Sequence, residues 1–414
     1  MPEYILKQKI QQSTMRRKWF KIIEKGIESI LFTSSLTTSI TVILIIVFLF
    51  SEGIGLFFSK PIDKDSIIGI SKQNTISKLS SGQLNLIFNQ DVTNWKACGG
   101  KNDSILLLSI NTLSTYFTEE ELGSNFENIP TKINEFVQKH PGAIVSFSKT
   151  YMPKQFAGKL IEVNNVGVWE FLSGKLWYPT AQPVAQLGVL PLIVGTILVS
   201  LVAILLALPL GIACAIYLAE VANIKVRNLL KPLIELLAGI PSVVYGFFGL
   251  IVIVPAVQKL FNLPVGETAF TGSVVLAIMA LPTIITVAED ALRSVPRSTK
   301  EASLALGATH WQTIVRVCIP TAKSGIVAGI ILGIGRAIGE TMAVLMVTGN
   351  ASTMPHSLFV PVRTIPATIA AELGEAPSGG LHYKALFALS IILFIITFGI
   401  NLSVGFVKRK NNSN

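Results

Sequence analysis

Six stretches of this 414-residue chain are apolar over lengths that leave few folding options: Leu36–Phe58, Leu187–Leu218, Pro232–Val257, Phe270–Val287, Gly325–Val347 and Ala385–Phe406. Each is about as long as, or longer than, the roughly 20 residues a helix needs to cross some 30 Å of hydrocarbon at 1.5 Å per residue. Only 14% of residues are charged, against about 25% in a soluble domain. In a bilayer core the backbone must satisfy its own hydrogen bonds, so blocks of this length read as helices. The expected fold is all-α and polytopic, with about six membrane spans.

The net charge of +10 does not indicate a nucleic-acid partner, because the cations flank the apolar blocks. Lys7, Lys9, Arg16, Arg17, Lys18, Lys21 and Lys25 precede the first. Lys225, Arg227 and Lys231 follow the second. Arg293, Arg297, Lys300, Arg316 and Lys323 separate the fourth from the fifth, and Lys408-Arg409-Lys410 follow the sixth. The short loops on the other side hold little beyond Lys259 and Arg363. By the positive-inside rule both termini are expected in the cytoplasm. The long basic start and the absence of an A-x-A site argue against a cleaved signal peptide, so the first block reads as a retained span. Cys98, Cys214 and Cys318 form no CxxC pair, and His140, His310, His356 and His382 are scattered. No metal site, cofactor or disulfide framework is expected.

The blocks divide the chain into a basic N-terminus at 1–35, a first span at 36–58, a polar extracytoplasmic domain at 59–186, a core with five spans at 187–407 and a tail at 408–414. The polar segment has mixed charges and Pro141-Gly142 punctuation, and is long enough for a small domain.

The loop at 291–322, between the fourth and fifth spans, predicts two short helices. One starts near Arg297 and stops at Gly307, where glycine permits a left-handed turn. The other starts at Thr309, whose spacing to Gln312 is that of a capping box, and ends at Pro320. The string Glu301-Ala302-Ser303, with Gly307 and then Val317-Cys318-Ile319-Pro320 at fixed spacing, resembles the EAA loop of ABC importer permeases, the MetI-like fold. Ser303 stands where that family has a second Ala. The resemblance implies that Glu301, Ala302, Ser303, Gly307 and Pro320 dock into an ATPase subunit and transmit its motion. The chain has no P-loop, since Gly99-Gly100-Lys101 lacks the upstream glycine. It is read as a transporter subunit with no catalytic residues, and ATP hydrolysis is assigned to another subunit.

In the fifth block, Arg336 and Glu340 stand four apart, the spacing of one helix face. Charges at membrane depth face a bundle interior or a water-filled cavity. Two readings stay open: an ion pair within the helix that fixes packing, or an anion-path arginine, whose rigid fork of donors suits an oxyanion. Gly325, Gly329 and Gly333, then Gly335 and Gly339, have the spacing of close helix packing. The string from Gly335 to Val344 resembles phosphate permeases of the PstC type. So do Gly349-Asn350, Gly239–Gly246 in the third block, and the stretch from Pro191 to Glu220. The resemblance implies uptake of inorganic phosphate across a bacterial inner membrane, along a path holding Arg336, Glu340, Thr341 and Ser242. It implies as partners a second, PstA-like permease, an ATPase dimer, an extracytoplasmic phosphate-binding protein and membrane lipid. The alternatives are another oxyanion (molybdate, sulfate or phosphonate) or a membrane phosphate sensor.

The 59–186 segment departs from that family, whose members have a short loop there. Leu84–Lys96 with Gly99-Gly100, and His140-Pro141-Gly142-Ala143-Ile144, resemble two stretches of phosphate-binding proteins. The segment is therefore expected to be α/β, similar to one lobe of such a protein. Binding proteins hold phosphate with an arginine and a Ser-Gly-Thr turn at a helix N-terminus. The matching stretch, Ser109–Thr115, lacks both the arginine and the glycine, so docking or scaffolding is expected of it rather than phosphate capture.

Overall fold

The computed structural model describes residues 2–62, 65–123 and 125–411, and side chains within 24–402 of these. The N-terminal cations up to Lys21 and the Lys408-Arg409-Lys410 trio lie outside the described side chains; residues 412–414 lie outside altogether. The chain divides into two units, 1–52 and 53–414. The first is helix α1 (Pro2–Ile54), of which 24–58, including a following short helical turn, is apolar enough to cross a bilayer.

The second unit opens with the inserted domain. Its elements are β1 (Ser66–Ile70), β2 (Lys78–Leu79), α2 (Ser81–Phe88), β3 (Leu106–Ser109), the short α3 (Leu113–Tyr116) and α4 (Glu119–Leu122), α5 (Ile129–Lys139) and β4 (Ala143–Ser148). They are followed by β5 (Lys159–Leu160), β6 (Glu162–Val163), α6 (Val168–Ser173), β7 (Trp177–Tyr178) and β8 (Gln186–Leu187). The main sheet has the order β3-β4-β1-β5. β3 runs parallel to β4, while β1 is antiparallel to β4, with Ile68 opposite Ser146. Alternation along β4 sends Ile144 to one face and Val145 and Phe147 to the other. The first face buries Ile68, Ile70, Leu84 and Trp95, and the second Ile133, Phe136 and Leu108. The two stretches that resemble binding proteins meet here: the buried Trp95 indole donates to the Gly142 carbonyl at 2.9 Å. No Cβ fits at Gly142, since it would stand 2.0 Å from the Ser104 carbonyl. A separate apolar collar ties the stem of the insertion to the membrane helices, through Leu56, Phe171, Trp177, Leu192, Ile365, Leu386 and Leu389.

The rest is helical: α7 (Leu190–Ile216), α8 (Ile224–Ala238), α9 (Ser242–Phe248), α10 (Val254–Leu260), α11 (Ala269–Arg293), α12 (Arg297–Ala305), α13 (His310–Thr313), α14 (Ile319–Gly339), α15 (Met342–Val347), α16 (Ile365–Glu372) and α17 (Leu381–Asn411). Six helical segments among the described residues are long and apolar enough to cross a membrane. The chain is therefore a polytopic α-helical membrane protein with an α/β insertion.

Three expectations are corrected. The third block is not one span: α8 ends before Gly239-Ile240-Pro241, and the crossing segment is 242–260. Pro241 has no amide for a continuing helix. Pro320 does not end the second loop helix. It sits in the first turn of α14, where its missing donor costs little, and a π-turn over Ile314–Cys318 joins α13 to α14 without a break. The fifth span instead breaks at Glu340-Thr341, between α14 and α15. Sequence reasoning also missed α16, a helix of eight residues between the fifth and sixth spans. At the centre, α14 lies against α11. A Cβ on Gly325 would stand 2.4 Å from the Ala291 side chain, and one on Gly333 2.7 Å from Ile284. Gly335 and Gly339 meet nothing within 4 Å, so only the first half of the glycine series serves helix packing.

Candidate functional site

The break at Glu340 decides the geometry of the fifth span. Glu340 is extended (ψ 133°), and its carboxylate accepts from the Ala343 amide at 3.4 Å. It thus caps the restarted helix instead of continuing the old one. Arg336 and Glu340 are on opposite sides of this break, and no ion pair joins them, which removes the intrahelical-pair reading. Arg336 is half-buried and has no hydrogen bond or ion pair among the described residues. Gly335 and Gly339 leave open space on either side of it in sequence.

The helices that follow the two breaks, α9 and α15, lie together. Gly246 of α9 packs so closely on α15 that a Cβ would stand 2.9 Å from Ala343 Cα. Ser242 opens α9, and Thr341, whose hydroxyl donates to the Gly339 carbonyl at 3.2 Å, precedes α15. Among the described residues, Ser242, Arg336, Glu340 and Thr341 make no hydrogen bonds to one another; what the fold brings together is α9 and α15, the helices that follow the two breaks. Interrupted membrane helices expose backbone polar groups, which is tolerated only where protein or a water-lined cavity satisfies them.

At the other end of the bundle, α12 and α13 form the knuckle. Gly307 has φ +85°, and Thr309 and Gln312 make the reciprocal capping box. The Ser303 and Thr313 hydroxyls meet at 3.0 Å, pinning the two helices. The apex is bare: Leu306 is 90% exposed and Trp311 63%. Sequence reasoning passed over what fixes this knuckle to the bundle. Lys300 of α12 pairs at 2.6 Å with Glu220, at the π-helical end of the second span. Nearby Glu289, 1% exposed on α11, is paired with Lys231 at 2.6 Å and flanked by Arg227 and Arg293. Burial pushes the Lys231 ammonium down, but its bonds to Glu289 and Asp290 outweigh this and hold it above its ordinary value.

Near the insertion a third polar cluster converges on Glu372, at the end of α16. His382 of α17 lies 2.8 Å from Oε2, the Trp177 indole donates to the same oxygen at 3.0 Å, and Arg363 pairs with Oε1. Burial pushes this carboxyl up, yet the bonds from His382 and Trp177 and the Arg363 charge leave it below its ordinary 4.5. In the inserted domain, the turn after β3 is self-satisfied: the Thr112 hydroxyl accepts from the Ser109 amide at 2.8 Å and donates to the Leu107 carbonyl at 3.1 Å.

Residues 207–412 match the family described as binding-protein-dependent transport system inner membrane component. The chain is 41% identical over 236 residues to the probable ABC transporter permease protein YqgH of Bacillus subtilis, covering 57% of this chain and 76% of that one. It is 40% identical over 262 residues to the phosphate transport system permease protein PstC of Mesorhizobium japonicum, covering 59% and 79%. About a quarter of the chain (25%) aligns with 48% of a solved ABC-type phosphate transport receptor from Vibrio cholerae, at 19% identity and a TM-score of 0.19. The chain belongs to the binding-protein-dependent transport permeases, the membrane components of ABC importers.

Proposed function

We propose that this permease carries inorganic phosphate, and that its path runs past the paired breaks in the third and fifth spans. The observation that carries the reading is Arg336: a half-buried guanidinium with no hydrogen bond or ion pair among the described residues, on a membrane helix and next to its break. An uncompensated cation at that depth is costly, and an anion passing beside it would offset the cost. The guanidinium fork matches a tetrahedral oxyanion. The similarity to PstC supports phosphate over sulfate, molybdate or phosphonate. Glu340 holds the restarted helix, and Thr341 and Ser242 border the breaks.

The knuckle supports a coupling role. Its exposed Leu306 and Trp311 offer an apolar contact for an ATPase subunit, and Glu301, Ala302 and Gly307 shape the turn that presents them. Hydrolysis belongs to that subunit, because this chain has no phosphate-cradling loop. The insertion faces outward, the knuckle and both termini inward, and a second permease completes the path. The self-satisfied Thr112 turn favours docking of a separate phosphate-binding protein over capture by the insertion.

The test is uptake in vesicles holding the assembled transporter. Arg336→Ala is expected to cut phosphate uptake by at least about tenfold, and Arg336→Lys to restore little of it, because a point charge lacks the fork. Uptake at the parental rate in Arg336→Ala would refute the path. Sulfate competing as well as phosphate would refute the selectivity.

A further inference from the structure

A cleft of about 950 Å³ separates the sheet of the inserted domain from the 377–381 turn that leads into α17. Three lysines line it: Lys60, Lys149 and Lys384. No carboxylate does, among the described residues. Elsewhere in the chain, Lys231, Lys300 and Arg363 each carry a carboxylate partner. These three lysines carry none among the described residues. Lys384 is held in place: its ammonium donates to the Ser59 hydroxyl at 3.1 Å, and its stem lies over Gly55. Ser59, Thr180 and Ser378 add hydroxyls to the wall.

Lys60 and Lys149 are exposed and Lys384 half-buried; cations gathered around a cleft with no carboxylate among its described lining concentrate anions from solution. Lysine presents three donors on a compact charge, so it accepts an oxyanion in many orientations, which suits transient holding better than tight selection. We propose that this cleft binds phosphoryl oxyanions at the outer side of the permease. It is separate from the Ser109–Thr115 turn, whose own small pocket is lined by Gln90, Thr93 and Tyr116. The ligand chemistry has two sources, free phosphate and the phosphodiester of a lipid headgroup. The assignment of free phosphate rests on the transport reading above.

The experiment uses the assembled transporter in zwitterionic nanodiscs and measures binding of radiolabelled inorganic phosphate, with Arg336→Ala as the background that removes the path site. Lys60→Gln, Lys149→Gln and Lys384→Gln combined are expected to weaken the remaining binding by more than about tenfold, while the three Lys→Arg replacements preserve it. Binding should also weaken steeply with salt. Unchanged affinity in the triple Gln variant overturns the proposal, as does a complete loss of binding in Arg336→Ala alone; the latter leaves the path reading standing. In nanodiscs with phosphatidylglycerol, phosphate excluded from the lysine-dependent site assigns the cleft to the headgroup source, and phosphate still bound assigns it to the free anion. Intact uptake in Arg336→Ala alongside lost cleft binding in the triple variant sinks the path reading alone.

Discussion

At the scale of single residues, Arg336 and Glu372 show opposite solutions to the same problem of a charge away from water. Among the described residues Arg336 has no hydrogen-bond or ion-pair partner, and Glu372 has three. A carboxyl held below its ordinary value contributes stability above its unfolded-state value and loses it as pH falls through the depressed folded one. The assembled transporter should therefore lose thermal stability as pH drops below about 4.5, from this group among others. Glu372→Gln is expected to melt lower at pH 7, by about 2 kcal/mol for hydrogen bonds to a charged group, and to show a flatter acid limb. A melting curve parallel to the parent's from pH 7 to pH 4 would remove the cluster's role. The identity of Arg336 as a functional candidate was legible in the sequence, because a charge inside an apolar block stands out. Its relation to Glu340 was not. Spacing by four assumes an unbroken helix, and the local sequence gives only weak warning that Glu340 would cap a new one, through the glycines at 335 and 339.

At the scale of elements, the knuckle was the best-read part. Gly307, Thr309 and Gln312 follow short-range rules that hold whatever packs around them, and the structure has all three in their expected conformations. Pro320 was misread because proline is compatible with the first turn of a helix as well as with its end, and only the preceding π-turn settles which. The Lys300–Glu220 pair links residues eighty positions apart and has no local pattern to announce it. It ties the knuckle to the second span, so Lys300→Glu should uncouple the machine: ATP hydrolysis continues while phosphate uptake falls several-fold. Lys300→Glu with Glu220→Lys should recover much of the uptake. If the swapped pair transports no better than the single variant, the contact is only a packing feature. Gly307→Val would place a β-branched residue at positive φ, a strain on the order of 1–3 kcal/mol, and is expected to lower uptake together with ATPase association, read by co-purification.

At the scale of the whole molecule, composition and apolar block length gave the class, and they do so because a bilayer imposes one length and one backbone solution on every span. The boundary of the insertion was less legible. Block edges put it at 59–186, but the collar draws Phe171, Trp177 and Leu187 into the same apolar cluster as Leu192, Ile365 and Leu386. Residues 164–189 thus join the membrane helices through the collar while still contacting the inserted domain, where Val184 packs in its core. Removing 66–163 should leave an assembled transporter that elutes as a single species, whereas removing 59–186 should strip the collar and give aggregated protein on size exclusion. Equal behaviour of the two deletions would contradict the division. Within the insertion, Trp95→Ala removes a fully buried ring and its bond to Gly142. It is expected to cost about 3–5 kcal/mol, measured as early melting or proteolysis of the inserted domain alone.

The unbroken run from His310 to Gly339 has a mechanical consequence. Its 30 residues at 1.5 Å each make a rod of about 45 Å, with Thr309 and the knuckle at one end and Arg336 near the other. The backbone stays helical through the π-turn and Pro320, so a rotation imposed at the knuckle is expected to reach the far end of the run. A tilt of about 10° at the knuckle then swings the far tip by roughly 8 Å, which is wider than a phosphate ion. A small rotation imposed at the knuckle would, by leverage alone, displace Arg336 by several ångströms.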